Sequence, residues 1–163
     1  MDLQHLIDLE HIKRLKYAYF RCLDQKLWDE MTNLFTEDAT AAYSGGKYHY
    51  TGRDEIVGFM RTNMARDAFH TSHRVHHPEI EIDGDEAVGV WAMEDVNVDS
   101  EYDFYLTGAG FYEDRYVRDG SGWRFAHTGY KRTFETIMPM KKNSMSVTAS
   151  WWTTGGQSAL EVQ

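Results

Sequence analysis

Four residues of this chain carry side chains suited to moving a proton: Tyr19, Asp24, His73 and Asp95. One phenol, one imidazole and two carboxylates suit abstraction of a proton beside a carbonyl, with hydrogen-bond support for the enolate that forms. That chemistry needs no metal and no cofactor. Each residue also has a plainer reading. Asp24 could be a solvated carboxylate at a helix end, although negative charge there opposes the helix dipole. Tyr19 could be a core tyrosine with its hydroxyl at the edge. Five helical residues turn about 500°, so Tyr19 and Asp24 point about 140° apart and share a pocket only if the helix ends or kinks near Leu23. Asp95 shares a strand face with Trp91 and Met93, where a carboxylate is costly unless paired. Pairing with His73 would satisfy both, and a solvated strand end is the alternative.

His73 lies in Ser72-His73-Arg74-Val75-His76-His77-Pro78. Three histidines in five residues invite a metal reading, but no H-E-x-x-H pattern accompanies them and Pro78 disturbs the register. A general-base histidine held by a carboxylate, Asp95 or Asp24, is better supported. His127 falls by alternation on a face with Trp123 and Phe125, as a core, rim or pocket histidine. Arg132 could hold a carboxylate, or the phosphates of an acyl carrier such as coenzyme A, at a pocket mouth. A surface ion pair is its bland alternative. Tyr43, Phe59, Met60, Trp91, Met93 and Phe111 are the expected lining of a dry pocket.

The elements that must position these groups read as follows. Apolar residues recur at helical spacing over 5–23, 26–36 and about 54–65. Residues 39–43 and 48–51 read as strands around Ser44-Gly45-Gly46-Lys47. Strands near 73–83, 86–98, 103–118 and 122–134 are separated by hairpin signals such as Asp83-Gly84-Asp85. The pattern is α+β: a curved, mostly antiparallel sheet wrapped around three N-terminal helices as a cone-shaped barrel with one open end. The expected division is a cone domain over 1–135 and a C-terminal tail over 136–163. Trp151 and Trp152 in that tail would cover the pocket, a subunit interface or simply the same chain.

The 163 residues make one domain, and 42% apolar content suffices for a core and a pocket. A net charge of −9 argues against nucleic acid and anionic membrane surfaces as partners. The one cysteine, Cys22, excludes an intrachain disulfide and reads as a buried thiol. With no leader pattern and no long apolar run, a cytoplasmic protein with a small hydrophobic substrate is expected.

Four stretches carry a resemblance: Tyr19-Phe20-Arg21-Cys22-Leu23-Asp24 with Trp28-Asp29-Glu30; His76-His77-Pro78-Glu79-Ile80; Trp91 through Glu94-Asp95; and Gly110-Phe111-Tyr112 with Gly129 through Glu135. Over roughly residues 7–135 the chain resembles the SnoaL-like division of the nuclear transport factor 2-like superfamily. Within that division it is similar to bile acid 7α-dehydratases and, more distantly, to scytalone dehydratases. The resemblance implies a cone-shaped α+β barrel, a homo-oligomer, often a trimer, and a cofactor-free carbon-oxygen lyase. It places the catalytic tyrosine on Tyr19, the helix-end aspartate on Asp24, the histidine on His73, the strand aspartate on Asp95 and the final-strand arginine on Arg132. Scytalone dehydratases carry a second histidine on a later strand, and the matching stretch here, Gly108 to Gly110, has none. His127 stands where the bile acid enzymes carry an acidic residue. The expected reaction is dehydration of a hydroxylated carbonyl compound, steroid-like or polyketide-like. An isomerase, cyclase or dehydrohalogenase on a similar pocket is the first alternative, and a non-catalytic ligand-binding module the second.

Overall fold

The structure, a computed structural model, describes residues 2–160. Helix α1 (Leu3–Asp24) is opened by Asp2, whose side chain accepts from the His5 N–H. It continues to Asp24 and is closed by Lys26 in the left-handed region (φ 58°), with the Leu27 N–H returning to Cys22 O at 2.8 Å. Its buried residues, Asp8, Ile12, Lys16, Tyr19, Phe20 and Leu23 among them, fall on one stripe. Helix α2 (Trp28–Thr32) is a short turn, and strand β1 (Phe35–Tyr43) follows. The helix expected over 26–36 is therefore cut short. Leu34 O takes the Phe125 N–H at 2.9 Å, so this end of the apolar run joins the sheet.

Strand β2 (Tyr48–Thr51) returns along β1, and Gly52, at φ 91°, turns the chain into α3 (Arg53–Met64). Four long strands complete the sheet: β3 (Phe69–Asp83), β4 (Glu86–Asp99), β5 (Phe104–Asp119) and β6 (Gly122–Met138). The order is β2-β1-β6-β5-β4-β3, antiparallel except for the β1–β6 pair. The α+β reading holds, but the curved sheet stays open, with β2 and β3 as unjoined edges. Helix α1 lies against β3 and β6, and α3 against β1 and β2.

Strand β3 begins at Phe69, earlier than the pattern suggested, and its register shifts between His76 and Glu79, around Pro78. Strand β6 continues beyond residue 135 to Met138. The segment after it buries Met140 and Ser150 against the same chain, and Lys26 Nζ lies 4.3 Å from the Trp152 ring, while Trp151 is exposed. No helix among the described residues is long and apolar enough to cross a membrane.

Candidate active site

Helices and sheet enclose a cavity of about 140 Å³. Tyr19 and Leu23 of α1 line it, with Tyr43 of β1, Phe59 and Met60 of α3, and inward residues of β3 to β6. Phe59 stacks on Tyr43, Tyr48 and Tyr50, so one wall is continuous aromatic surface. The predicted lining residues Tyr43, Phe59, Met60 and Met93 are all there.

His73 stands in the wall between this cavity and an outer groove lined by Asp24. Its ring stacks on Phe20, with centroids 5.5 Å apart. Nδ1 lies 2.7 Å from Asp24 Oδ1, and the His73 backbone N–H donates to Asp24 Oδ2 at 2.9 Å. Thr71 Oγ1 donates to Asp24 Oδ1 at 2.7 Å. Burial alone would raise the Asp24 carboxyl, but these donors outweigh it and hold it below its ordinary value. They also offset the unfavourable end of the helix dipole. A carboxylate at Nδ1 takes the Nδ1–H and leaves the lone pair on Nε2. The arrangement can therefore accept a proton at Nε2 and stabilise the imidazolium that results. Asp24 shares the site from behind His73 rather than from inside the cavity, so it need not point the same way as Tyr19.

Tyr19 is 1% exposed, and its hydroxyl lies 3.3 Å from that of Tyr43. Burial pushes its phenol well up, so it remains a hydrogen-bond donor across the ordinary pH range.

Asp95 is bound differently from the sequence expectation. It pairs in register with His73, yet its carboxylate is held by Arg132 through two bonds of 2.7 Å, with Asn97 Nδ2 donating at 2.7 Å. Burial raises the Asp95 carboxyl and the guanidinium more than reverses that, leaving it below its ordinary value. Arg132 Nε also lies 2.7 Å from Glu135. Arg132 lines the cavity, and its guanidinium is ion-paired with carboxylates of its own chain. The path between them crosses Gly108, the β5 residue opposite Asp95. A Cβ at Gly108 would run into Arg132 Nη1 and come within 2.8 Å of Phe134 O. The space over Gly108 is thus filled by the Arg132 guanidinium.

Three expected lining residues lie elsewhere. Trp91 is buried on the correct face but nearer the hairpin end, where its Nε1 donates to the Tyr116 hydroxyl at 2.9 Å. Phe111 is 47% exposed on the outer face, because Gly110 and Tyr112 hold the inward positions of β5. His127 faces outward, 2.7 Å from Thr40 Oγ1. Ala126 is an extra residue between the pairs Tyr116–Phe125 and Arg115–His127, and that bulge breaks the alternation with Phe125. Burial, with Arg115 nearby, lowers the His127 imidazole. Tyr112, Tyr130 and Asn97 line the cavity and were not anticipated. Each stands two residues along a strand from an inward position, Gly110, Arg132 or Asp95, and that spacing was the available signal. Among the described residues no three of His, Cys, Asp and Glu stand close enough to hold a metal ion.

These carboxylates contribute to the acid limb of stability. Asp24 and Asp95 titrate below their ordinary value of 3.8 in the folded state, so they bind fewer protons there than in the unfolded chain. Their stabilisation is present above that value and is lost as pH falls through the folded one. Thermal melts between pH 6 and pH 2 should show Tm falling steeply below about pH 4. Asp95→Asn should reduce that acid dependence.

The profile of a SnoaL-like domain matches residues 4–129. A candidate scytalone dehydratase from Novosphingobium aromaticivorans superposes with a TM-score of 0.74 at 22% identity, over 81% of this chain and 88% of that one. A hexachlorocyclohexane dehydrochlorinase from Novosphingobium barchaimii superposes with a TM-score of 0.76 at 16% identity, over 85% and 94%. A protein from Novosphingobium aromaticivorans described as NTF2-like with a cystatin-like fold superposes with a TM-score of 0.68 at 19% identity, over 80% and 85%. At these identities the structures establish a shared fold, while the matched profile covers most of the sequence, and the chain belongs to the SnoaL-like domain family.

Proposed function

We propose that the chain is a cofactor-independent lyase that removes water from a hydroxylated carbonyl compound. The observation that carries this reading is the Asp24–His73 pair set in the wall of a tyrosine-lined cavity. His73 Nε2 takes a proton from a carbon activated by the carbonyl, directly or through conjugation. The electron pair moves onto the carbonyl oxygen, which accepts a hydrogen bond from Tyr19. As the enolate collapses, the C–O bond to the hydroxyl breaks, and the imidazolium returns its proton to that oxygen, releasing water. The positive charge of the intermediate stage sits on the His73 imidazolium, and the Asp24 carboxylate at Nδ1 balances it as a positioning residue. Asp95, paired in register with His73, and Arg132 form the buried wall beside it, with no step assigned to them.

The size of the cavity bears on the substrate. A cavity of about 150 Å³ holds a benzene-sized molecule, and this one is close to that at about 140 Å³. One ring of the substrate therefore reacts inside, and a steroid-like or polyketide-like remainder extends through the mouth. The same base would serve a dehydrohalogenase, with a halide in place of water. The likeness to a dehydrochlorinase that acts on a one-ring compound favours this as the second reading.

The test is a time-resolved ultraviolet scan of the purified protein with hydroxylated cyclic ketones, hydroxylated 3-oxo-4-ene steroids and halogenated cyclohexanes. A growing conjugated chromophore with the hydroxylated compounds supports dehydration, and halide release alone supports the second reading. No change with any of them would overturn both. Tyr19→Phe should lower kcat by about 10²–10³-fold with little effect on the fold, the usual cost of one oxyanion donor. A steady-state rate close to wild type would remove Tyr19 from the mechanism.

A further inference from the structure

The buried stripe of α1 carries a lysine among its apolar and aromatic residues. The Lys16 side chain is fully buried, and its Nζ lies 2.7 Å from Asp114 Oδ2, itself fully buried. The ammonium sits 3.6 Å from the centre of the Tyr112 ring and 5.2 Å from that of Tyr19. Behind it, Asp114 accepts from Thr128 Oγ1 at 2.7 Å and from the Tyr116 hydroxyl at 2.8 Å. Tyr112 and Tyr19 both line the cavity, and Lys16 does not. A buried ion pair is weak evidence for stability, since apolar replacements of similar volume often do as well. Its position directly beneath the phenols offers a more specific use.

We propose that Lys16 is a positioning residue for the tyrosine donors: held by Asp114 against the faces of Tyr112 and Tyr19, its ammonium polarises these phenols and strengthens the hydrogen bond that Tyr19 gives to an oxyanion in the cavity. This rests on the proton-transfer reading above. A cation on a phenol face draws electron density from the ring and makes the hydroxyl a better donor. The Asp114 carboxylate has the opposite influence, pushing the Tyr19 phenol up; in this proposal the ammonium outweighs it because it lies on the Tyr112 face, 3.6 Å from the ring centre. The groups facing Lys16 are Asp114 and Tyr112 from β5, Tyr19 and Phe20 from α1, and Phe125 from β6. Burial, partly countered by Asp114, brings the Lys16 ammonium down to about 8, so the polarisation fades on mild alkalinisation.

The probe is para-nitrophenol, a one-ring phenol whose phenolate absorbs visible light and mimics an enolate oxygen. Its ionisation is followed while bound to wild type, Lys16→Met and Lys16→Met/Asp114→Asn. The double variant removes both charges and keeps the volume, so it folds even where the single variant, with a bare buried carboxylate, does not; circular-dichroism melts establish this. Wild type should lower the pKa of the bound probe below that of the free compound, and the folded variants should raise it by about one unit, a tenfold change in ionisation. An unchanged value in the folded double variant, or a wild type that leaves the probe unshifted or unbound, would overturn the proposal. The readout needs no turnover. A cavity that shifts the probe through Lys16 yet converts no substrate overturns the lyase reading and leaves this inference standing.

Discussion

Replacing His73 by alanine should lower turnover by about 10³-fold or more, toward the upper part of the range for loss of a general base, while the protein stays folded. The fold survives because Asp24 does not lose all its partners. Thr71 Oγ1 and the backbone N–H of residue 73 continue to donate to its two oxygens. What disappears is the only imidazole among the described residues of the cavity wall, together with the ring stacked on Phe20. Small bases such as imidazole, added to the variant, should restore part of the rate by occupying the vacated space. Steady-state kinetics with a melting curve on the same sample checks the claim. A folded His73→Ala protein with a rate near wild type would remove His73 as the base.

The second large effect is expected at Asp24→Asn, about 10²–10⁴-fold in kcat with little change in substrate binding. The reason is tautomeric. The carboxylate accepts the Nδ1–H of His73 and leaves Nε2 as a base. An asparagine can turn its amide N–H toward Nδ1, which then becomes the acceptor and moves the imidazole proton to Nε2. The ring would stay in place with its lone pair facing the wrong way, and no anion would balance the imidazolium. A comparable substitution behind a catalytic histidine in serine proteases costs about 10⁴-fold. The measurement is kcat and KM separately: a loss confined to kcat is expected, and a loss confined to KM would make Asp24 part of the binding surface instead.

Much of this site was legible in the chain because the residue types required by proton transfer are few. Tyr19, Asp24 and His73 could be named from type and spacing. Their mutual geometry could not. Helical geometry put Tyr19 and Asp24 far apart in angle, and the resolution is a third residue from β3 standing between cavity and groove. The partner of His73 was ambiguous between Asp24 and Asp95. Asp95 is directly opposite in register, yet Arg132 reaches it from β6 across Gly108. That long-range competition depends on one missing side chain on the intervening strand, which local pattern does not reveal. Phe111 and His127 were placed inward by reading alternation at the wrong parity or through a bulge. A single extra residue, Ala126, reverses the relation between His127 and Phe125. The helix expected through residue 36 ended early because its last apolar residues pair with β6, a tertiary demand that helical periodicity does not express. Lys16 was legible in principle, since it sits four residues from Ile12 and three from Tyr19 on one stripe, but a lysine there is ordinarily read as solvent-facing.

The central claim is that His73 removes a proton from carbon inside this cavity, whatever group leaves afterwards. The most direct test is hydrogen exchange by proton NMR in deuterium oxide, with a one-ring cyclic enone that has acidic carbon-bound hydrogens and no leaving group. Wild-type protein should replace those hydrogens with deuterium well above the buffer rate, and His73→Ala and Asp24→Asn should fall to near the background. Exchange at the buffer rate with a wild-type protein shown to bind the enone would contradict the claim, as would undiminished exchange in folded His73→Ala.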